Sequence, residues 1–255
     1  MKNDLTSEEW QEFQERGIVS LGTLPLENLT ELQQGIDAIM LGTSDAPYDK
    51  LLMQLDSSSG DYGELGRQTR GFKGATLNYR KIQDLEKVQE FREYLESDLF
   101  RRVCSKVYGE IPIACFRAMF MNKPARGGTQ LPWHQDRWRA LDRDPLVTIW
   151  TALDDASIES GCLEIIPGSH HLGVLNPEHG SAFLTDEQGR EWSENKDIEP
   201  LEVRAGDVYL LHNWVLHRSG VNNGSTPRRA FSVCYMEAAT EDRFGVQYTR
   251  LFASP

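Results

Sequence analysis

The sequence predicts a mainly β protein with flanking helices, an antiparallel jelly roll or barrel carried behind a helical N-terminal region. Three observations predict it. Apolar residues within 1–110 recur mostly at spacings of three and four, the period of an amphipathic helix. After Gly109 the pattern changes to short β-like runs divided by Gly, Pro and Asn. Those runs are not interleaved with helical patterns, so they describe an antiparallel architecture and not a βαβ sheet. With 255 residues, 39% of them hydrophobic, the chain can bury a sizeable core as a single domain.

The elements follow in order. Thr6 and Glu9 have the spacing of a capping box, Trp10 and Phe13 give the first helix an apolar face, and Gly17 is placed to end it. A short strand over 18–21 comes next. Leu26, Leu29, Leu32, Ile36 and Ile39 then mark a second helix. Residues 42–76, rich in Gly, Ser and Asp, read as ordered loop. Leu85, Val88, Phe91, Leu95, Leu99, Val103 and Val107 predict one long helix closing at Gly109. From 111 to 240 the jelly-roll core is expected, with strands over 113–121, 131–136, 146–153, 162–166, 201–204, 208–212, 214–217 and 229–237. The charged segment 172–200 is an insert between strands, either a lid or a surface loop.

Composition narrows the function. Lys plus Arg number 27 against 39 for Asp plus Glu, a formal charge of −12. An acidic chain repels phosphate backbones and anionic lipid surfaces, so neither nucleic acid nor membrane is an expected partner. A small-molecule substrate is, with the chain a monomer or homodimer. The charge is also localised: residues 1–37 and 172–202 each carry 8 acidic and 2 basic side chains, and the remainder is neutral. The N-terminus has no apolar signal-peptide core. Cys104, Cys115, Cys162 and Cys234 form no CxxC pair and read as buried free thiols of a cytoplasmic protein.

The chemistry concentrates at Trp133-His134-Gln135-Asp136. In a strand, residues two apart share a face, so His134 and Asp136 present an imidazole and a carboxylate together. A further histidine, His217, would complete a two-His-one-carboxylate facial triad, a donor set that suits Fe(II) and leaves positions open. Arg228 follows eleven residues later. Its guanidinium fork can capture a carboxylate bidentately, and a metal beside such an Arg describes a pocket for a 2-oxo acid. His170, His171 and His179 are expected in solvent, and His212 in the core or behind the ligands.

These motifs together resemble the phytanoyl-CoA dioxygenase family of Fe(II)/2-oxoglutarate-dependent oxygenases. The resemblance runs from Leu5-Thr6-Ser7-Glu8-Glu9 through Asn122-Lys123-Pro124, the His134 motif, Trp150-Thr151-Ala152-Leu153 and Gly161-Cys162-Leu163. It continues through Pro167-Gly168-Ser169-His170, Ala205-Gly206-Asp207, His217-x-Ser219-Gly220 and Arg228-Arg229-Ala230. It implies a double-stranded β-helix of cupin-like type, iron held by His134, Asp136 and His217, and 2-oxoglutarate and O2 as cosubstrates. It implies that 2-oxoglutarate is bound by Arg228 and Ser219, in a pocket lined by Met119, Gln135 and Trp150. Gln135 points away from the His134 face of a regular strand, so its role rests on the resemblance alone. Relatives that halogenate carry a small residue in place of the carboxylate; Asp136 therefore favours oxygen chemistry.

The expected reaction is oxidation of an unactivated C–H bond with release of succinate and CO2, hydroxylation first. Desaturation, ring closure and epimerisation use the same oxidant, and a cupin-like metal protein without 2-oxoglutarate is the rival. Arg67, Arg70, Lys73, Arg80 and Lys81 form an acid-free stretch, and Arg137 and Arg139 follow the metal carboxylate. Some of these are expected to meet an anionic group on the substrate, such as a carboxylate or phosphate, with Arg70 and Arg137 the first candidates.

Overall fold

The computed structural model describes residues 1–57, 59–180, 182–194 and 196–253. Two antiparallel sheets form the body. The larger contains β1 (Ile18–Thr23), β2 (Leu52–Leu55), β3 (Thr69–Arg70), β4 (Tyr79–Gln83), β5 (Ile113–Lys123), β7 (Val147–Ala152), β10 (Asp207–His212), β12 (Arg228–Glu237) and β13 (Thr249–Phe252). Its order is β1-β10-β7-β12-β5-β4-β2-β3, with β13 also paired to β5. The smaller is β6-β11-β8-β9, from β6 (Leu131–His134), β8 (Leu163–Ile166), β9 (Glu199–Leu201) and β11 (Leu216–Ser219). The jelly-roll core is thus present, and the N-terminal region lends four strands to it as well as helices.

Helices α1 (Ser7–Arg16), α2 (Leu26–Leu41), α3 (Gln89–Leu95) and α4 (Asp98–Tyr108) share one hydrophobic cluster with the larger sheet. The sheet supplies it by side-chain alternation along each strand, shifted by one position within β5. Ala118 and Phe120 of β5, Val147 and Ile149 of β7, Val208 and Leu210 of β10, and Phe231, Val233 and Tyr235 of β12 all belong to it. Phe231 packs against Phe91 with ring centroids 5.2 Å apart and the planes tilted by 57°. Tyr235 donates its hydroxyl to the Leu95 carbonyl at 2.8 Å, so a polar joint is satisfied inside an apolar layer. The opposite face of the same strands turns toward the smaller sheet and is free to build a site.

Several expectations hold. The Thr6–Glu9 capping box is formed and Gly17 caps α1 at φ 75°. An added Cβ there would lie 2.3 Å from Val215 Cγ2 and 2.7 Å from His170 Nδ1, so glycine is required twice over, by backbone and by space. All four cysteines are free and buried. Among the described residues no helix is long and apolar enough to cross a membrane.

Others are corrected. The single helix expected over 85–107 is a 3-10 turn at Leu85–Lys87 followed by α3 and α4. The break at Glu96-Ser97, where Ser97 is extended at φ −60°, ψ 150°, re-aims the axis while Leu95 and Leu99 both stay in the core. The stretch 42–76 is not only loop, because it holds β2 and β3. β4 was hidden by a bulge: Leu55 pairs with Tyr79 and Gln54 with Lys81, leaving Arg80 as an extra residue. That puts its core residues Tyr79 and Ile82 three apart and breaks the period-2 signal. The strands expected over 201–204 and 214–217 lie at β9 and β11, and β6 stops at His134. The insert over 172–200 contains α5 (Asp186–Ser193) and the start of β9. His170 is buried, not solvated; its Nε2 lies 3.0 Å from the Gln14 carbonyl, whereas His171 and His179 are exposed.

Glu86 is a buried carboxyl in this core, 7% exposed, with Oε2 lacking any partner. Burial pushes it up to about 7 from an ordinary 4.5. Between those values the folded chain holds a proton that the unfolded chain has released, so stability falls as pH rises through this window. The loss is about 3 kcal/mol in all. Glu86→Gln is expected to flatten the decline and to stabilise the protein above pH 7. Urea denaturation of both proteins at pH 5, 6, 7 and 8 measures this.

Candidate active site

His134 ends β6 and His217 lies on β11, directly opposite it in the antiparallel register. Facing residues of such a pair present their side chains on one face, and the two imidazole centroids are 4.0 Å apart. Each ring is fixed the same way. Nδ1 of His134 is 2.8 Å from the Pro132 carbonyl, and Nδ1 of His217 is 2.9 Å from the Val215 carbonyl. A carbonyl only accepts, so Nδ1 carries the proton and Nε2 keeps a lone pair. Asp136 lies just past the strand end, held by its backbone N–H donating to the Asn213 carbonyl at 2.7 Å. One ligand atom from each of His134, Asp136 and His217 lies within 4.8 Å of the other two.

Electrostatics favour the forms that bind metal. Burial, then the neighbouring His217, lowers His134 to about 3, so its imidazole is neutral. Burial pushes the Asp136 carboxyl up, but His217, Arg117, His134 and Lys81 together outweigh it and hold the group below its ordinary value. Two imidazoles whose Nε2 atoms are left open and one ionised carboxylate, which accepts no hydrogen bond among the described residues, fit Fe(II).

The triad faces a cavity of about 210 Å³ between the sheets. Met119 of β5, Trp150 of β7, Ser219 of β11 and Arg228 of β12 line it. Arg228 is 3% exposed. Its Nη2 donates to the Gly161 carbonyl at 2.8 Å and its Nε has no partner. Burial lowers it to about 10. Gly161 reaches that position at φ 70°, where a Cβ would stand 2.7 Å from the Gly220 carbonyl oxygen; only glycine fits. The next residue is a useful contrast. Arg229 points to the other face and is fully paired, 2.8 Å from both Asp154 oxygens and 2.5 Å from Asp37 Oδ1. Arg229 is a structural ion pair tying α2 to β12, and Arg228 is a buried cation with no carboxylate paired to it among the described residues. A buried charge of that kind is costly unless something anionic completes it.

Other expected site residues lie elsewhere. Gln135 does not line the cavity. Its buried amide donates to the Gly173 and Trp214 carbonyls and accepts from Leu175 N–H, each at 2.8 Å. It fastens the start of the insert to the β10–β11 turn. Arg70 is exposed and remote, donating to the Lys50 carbonyl and to Asp84 Oδ2 at 2.9 Å. Arg137 does reach the cavity, but Asp144 and the Pro177 carbonyl engage it at 3.2 and 2.9 Å. Arg139 turns outward to the Glu178 carbonyl.

The structure adds residues that the sequence did not nominate. Phe183 of the insert rests on the His134 ring at 4.9 Å and meets Tyr62 at 5.1 Å, so the insert forms part of the cavity wall. Asn213 is buried, accepting from Thr148 Oγ1 at 2.7 Å and donating to the Pro145 carbonyl at 2.8 Å. Lys123, paired with Arg228 across β5 and β12, is pushed down to about 6 by burial and then by Arg228. Arg117 also lines the cavity, joined there by Arg80 and Lys81 of the basic stretch that the sequence did offer.

A two-sheet jelly roll with a two-His-one-carboxylate centre between its sheets defines the class. Residues 13–230 match the phytanoyl-CoA dioxygenase (PhyH) family, and the chain belongs to it. Phytanoyl-CoA dioxygenase domain-containing protein 1 of Danio rerio is 33% identical over 156 residues, 58% of this chain and 53% of that protein. The chain therefore spans about half the length of the curated relatives it matches. Among solved structures, the non-heme alpha ketoglutarate dependent carbocyclase SnoK from nogalamycin biosynthesis superposes with a TM-score of 0.71 at 20% identity, covering 95% of this chain and 88% of that one. EctD from S. alaskensis with 2-oxoglutarate and 5-hydroxyectoine gives 0.71 at 17% identity, covering 95% and 80%. These likenesses establish the shared fold.

Asn213 is the anchor through which the β10–β11 turn positions Asp136. Asn213→Ala keeps the backbone carbonyl that accepts from Asp136 N–H but removes the side-chain bonds to Thr148 and the Pro145 carbonyl that hold the turn, and by loosening that support it is expected to weaken Fe(II) binding by about tenfold. Anaerobic Fe(II) titration of the variant against the parent measures it.

Proposed function

We propose that the protein is a non-haem Fe(II)- and 2-oxoglutarate-dependent oxygenase. In this reading it hydroxylates an unactivated C–H bond of a small-molecule metabolite or natural-product intermediate, releasing succinate and CO2. The observation that carries it is the pairing, across one cavity, of the His134–Asp136–His217 centre with a buried Arg228 that no carboxylate satisfies. A metal centre alone would suit many cupin-like proteins. The unsatisfied guanidinium asks in addition for an anionic cosubstrate.

His134 and His217 offer Nε2 and Asp136 a carboxylate oxygen to the metal. Arg228, with the Ser219 hydroxyl beside it on the cavity wall, takes the distal carboxylate of 2-oxoglutarate; Met119 and Trp150 flank its carbon chain. When bound, iron couples decarboxylation of 2-oxoglutarate to activation of O2 and hence to oxidation of the substrate. The residues of this chain hold the reacting groups in register and keep water out. Phe183 packed on His134 closes one side. The relatives named as dioxygenases and the solved 2-oxoglutarate complex of similar fold support this assignment.

Protein mixed anaerobically with Fe(II) and 2-oxoglutarate is expected to develop the visible metal-to-ligand charge-transfer band. Its absence at high protein concentration overturns the reading in favour of a metal protein that does not use 2-oxoglutarate. Arg228→Ala should raise the 2-oxoglutarate concentration needed for the band roughly 30-fold or more, the cost of removing one partner from a buried charged contact. Asp136→Ala should abolish succinate release.

A further inference from the structure

The cavity carries more positive charge than one 2-oxoglutarate accounts for. Besides Arg228 and Lys123, its wall includes Arg80 and Lys81 of β4 and Arg117 of β5. Asp136 is the one carboxylate among the lining residues, and in the reading above the metal occupies it.

Two bulges place the arginines there. On β4, Arg80 is the extra residue between the Leu55–Tyr79 and Gln54–Lys81 pairs. Without it, successive side chains would alternate, and Arg80 and Lys81 could not both face the cavity. On β5, Cys115 pairs with Tyr235 and Arg117 with Cys234, so Phe116 is extra. Before this bulge the odd residues Ile113 and Cys115 face the helical core, and after it the even residues Ala118 and Phe120 do. The switch turns Arg117 inward, in line with Met119, Met121 and Lys123. Bulges that re-aim side chains are a recurrent device beside sites.

Arg117 is poorly satisfied where it stands. Its guanidinium lies over the Trp138 ring, 4.8 Å from the centroid, and 3.9 Å from Asp136 Oδ1. That is too far for a hydrogen bond, and the guanidinium forms none to any described residue. Its side chain is 20% exposed. Arg80 spends one donor on Gln54 Oε1 at 3.1 Å and lies over Tyr62. Arg137, by contrast, is already matched by Asp144.

Arg117 and Arg228 occupy opposite ends of the wall. Lys123, the register partner of Arg228, is six residues from Arg117 on β5, about 20 Å of strand, and the metal centre touches the Arg117 end through Asp136. Burial pushes Lys81 down to about 7, with Arg117 and then Arg80 adding to it; the charge depressing Lys123 comes instead from Arg228 and Arg80. The two ends are electrically distinct, with Arg80 between them.

We propose that the substrate is an anion whose carboxylate or phosphate is held by Arg117, with Arg80 assisting, at the end of the cavity away from Arg228. The assignment rests on the oxygenase reading and names the substrate class for it. Stacking on Trp138 leaves the guanidinium edge for a bidentate oxyanion. Phe183, packed on His134, and Trp138, beneath Arg117, offer apolar surface for the carbon skeleton.

The test compares hexanoate, hexyl phosphate and hexanamide, which share a chain and differ in charge. Calorimetric binding is measured anaerobically on protein loaded with Fe(II) and saturating 2-oxoglutarate. At least one anion is expected to bind about tenfold or more tightly than the amide, the size of one charge-assisted contact, and the tighter anion identifies the oxyanion. Arg117→Gln should erase the difference while the 2-oxoglutarate requirement of the visible band changes less than the anion affinity. Arg117→Lys, which keeps the charge, should retain part of the preference and guards against a folding defect. If neither anion binds better than the amide, or if Arg117→Gln weakens 2-oxoglutarate instead, the inference is overturned. The visible band of the same samples tests the oxygenase reading separately: without the band that reading fails, whatever the anion preference.

Discussion

The structure depends on side-chain alternation along the four central strands of the larger sheet, β10, β7, β12 and β5. Val208, Leu210, Val147, Ile149, Phe231, Val233, Ala118 and Phe120 belong to the cluster shared with the helices. Leu211, Thr148, Trp150, Arg228, Ser232, Cys234, Met119 and Met121 face the cavity. A slip of one residue in any of these pairings would exchange the two sets, placing Arg228 in the apolar layer and Phe231 in the site. The helices therefore do more than cover a sheet. By making one face obligatorily apolar they lock the register that presents the other face as a site.

The same constraint explains where charge is tolerated. Arg229 leaves the sheet on the helical side and meets two carboxylates, Asp154 and Asp37. Arg228, one residue earlier, enters the cavity and meets a lone carbonyl. Buried cations without anionic partners work against folding, yet the cavity accumulates basic groups, Arg228 and Lys123 at one end and Lys81 and Arg117 at the other, and burial pushes both lysines down toward their neutral forms. A wall of this kind is comprehensible as a surface completed by ligands, whose carboxylates supply the missing charge. The overall charge of −12 gives no hint of it, because the acidity lies on the N-terminal segment and the insert.

What could be read in advance was whatever local spacing encodes. His134 and Asp136 are two apart, His217 and Ser219 likewise, and the capping box of Thr6 and Glu9 is a four-residue pattern. What escaped was encoded by pairing. β4 has no period-2 pattern, because the bulge at Arg80 exists only relative to β2. The inward turn of Arg117 depends likewise on an unpaired Phe116 facing β12. The break between α3 and α4 interrupts an apolar spacing that is continuous in the sequence. Gln135 looked like a pocket residue by its motif, yet its amide is consumed by Gly173, Leu175 and Trp214, groups some 40 and 80 positions away in the chain that no local pattern brings together.

By itself the sequence pointed to a mainly β fold with flanking helices and to His134 and Asp136 on one strand face, because these follow from residue type and short-range periodicity; His217 and Arg228 joined them through the order of motifs along the chain. The tertiary structure decided which of two adjacent arginines is paired and which is open, that Arg70 lies on the surface while Arg80 and Arg117 line the cavity, and that Phe183 of the insert packs on a metal-binding histidine. Those outcomes turn on cross-strand register and on what the far side of the sheet contacts. Both are set by the packing of segments distant in the chain, which a linear pattern does not carry.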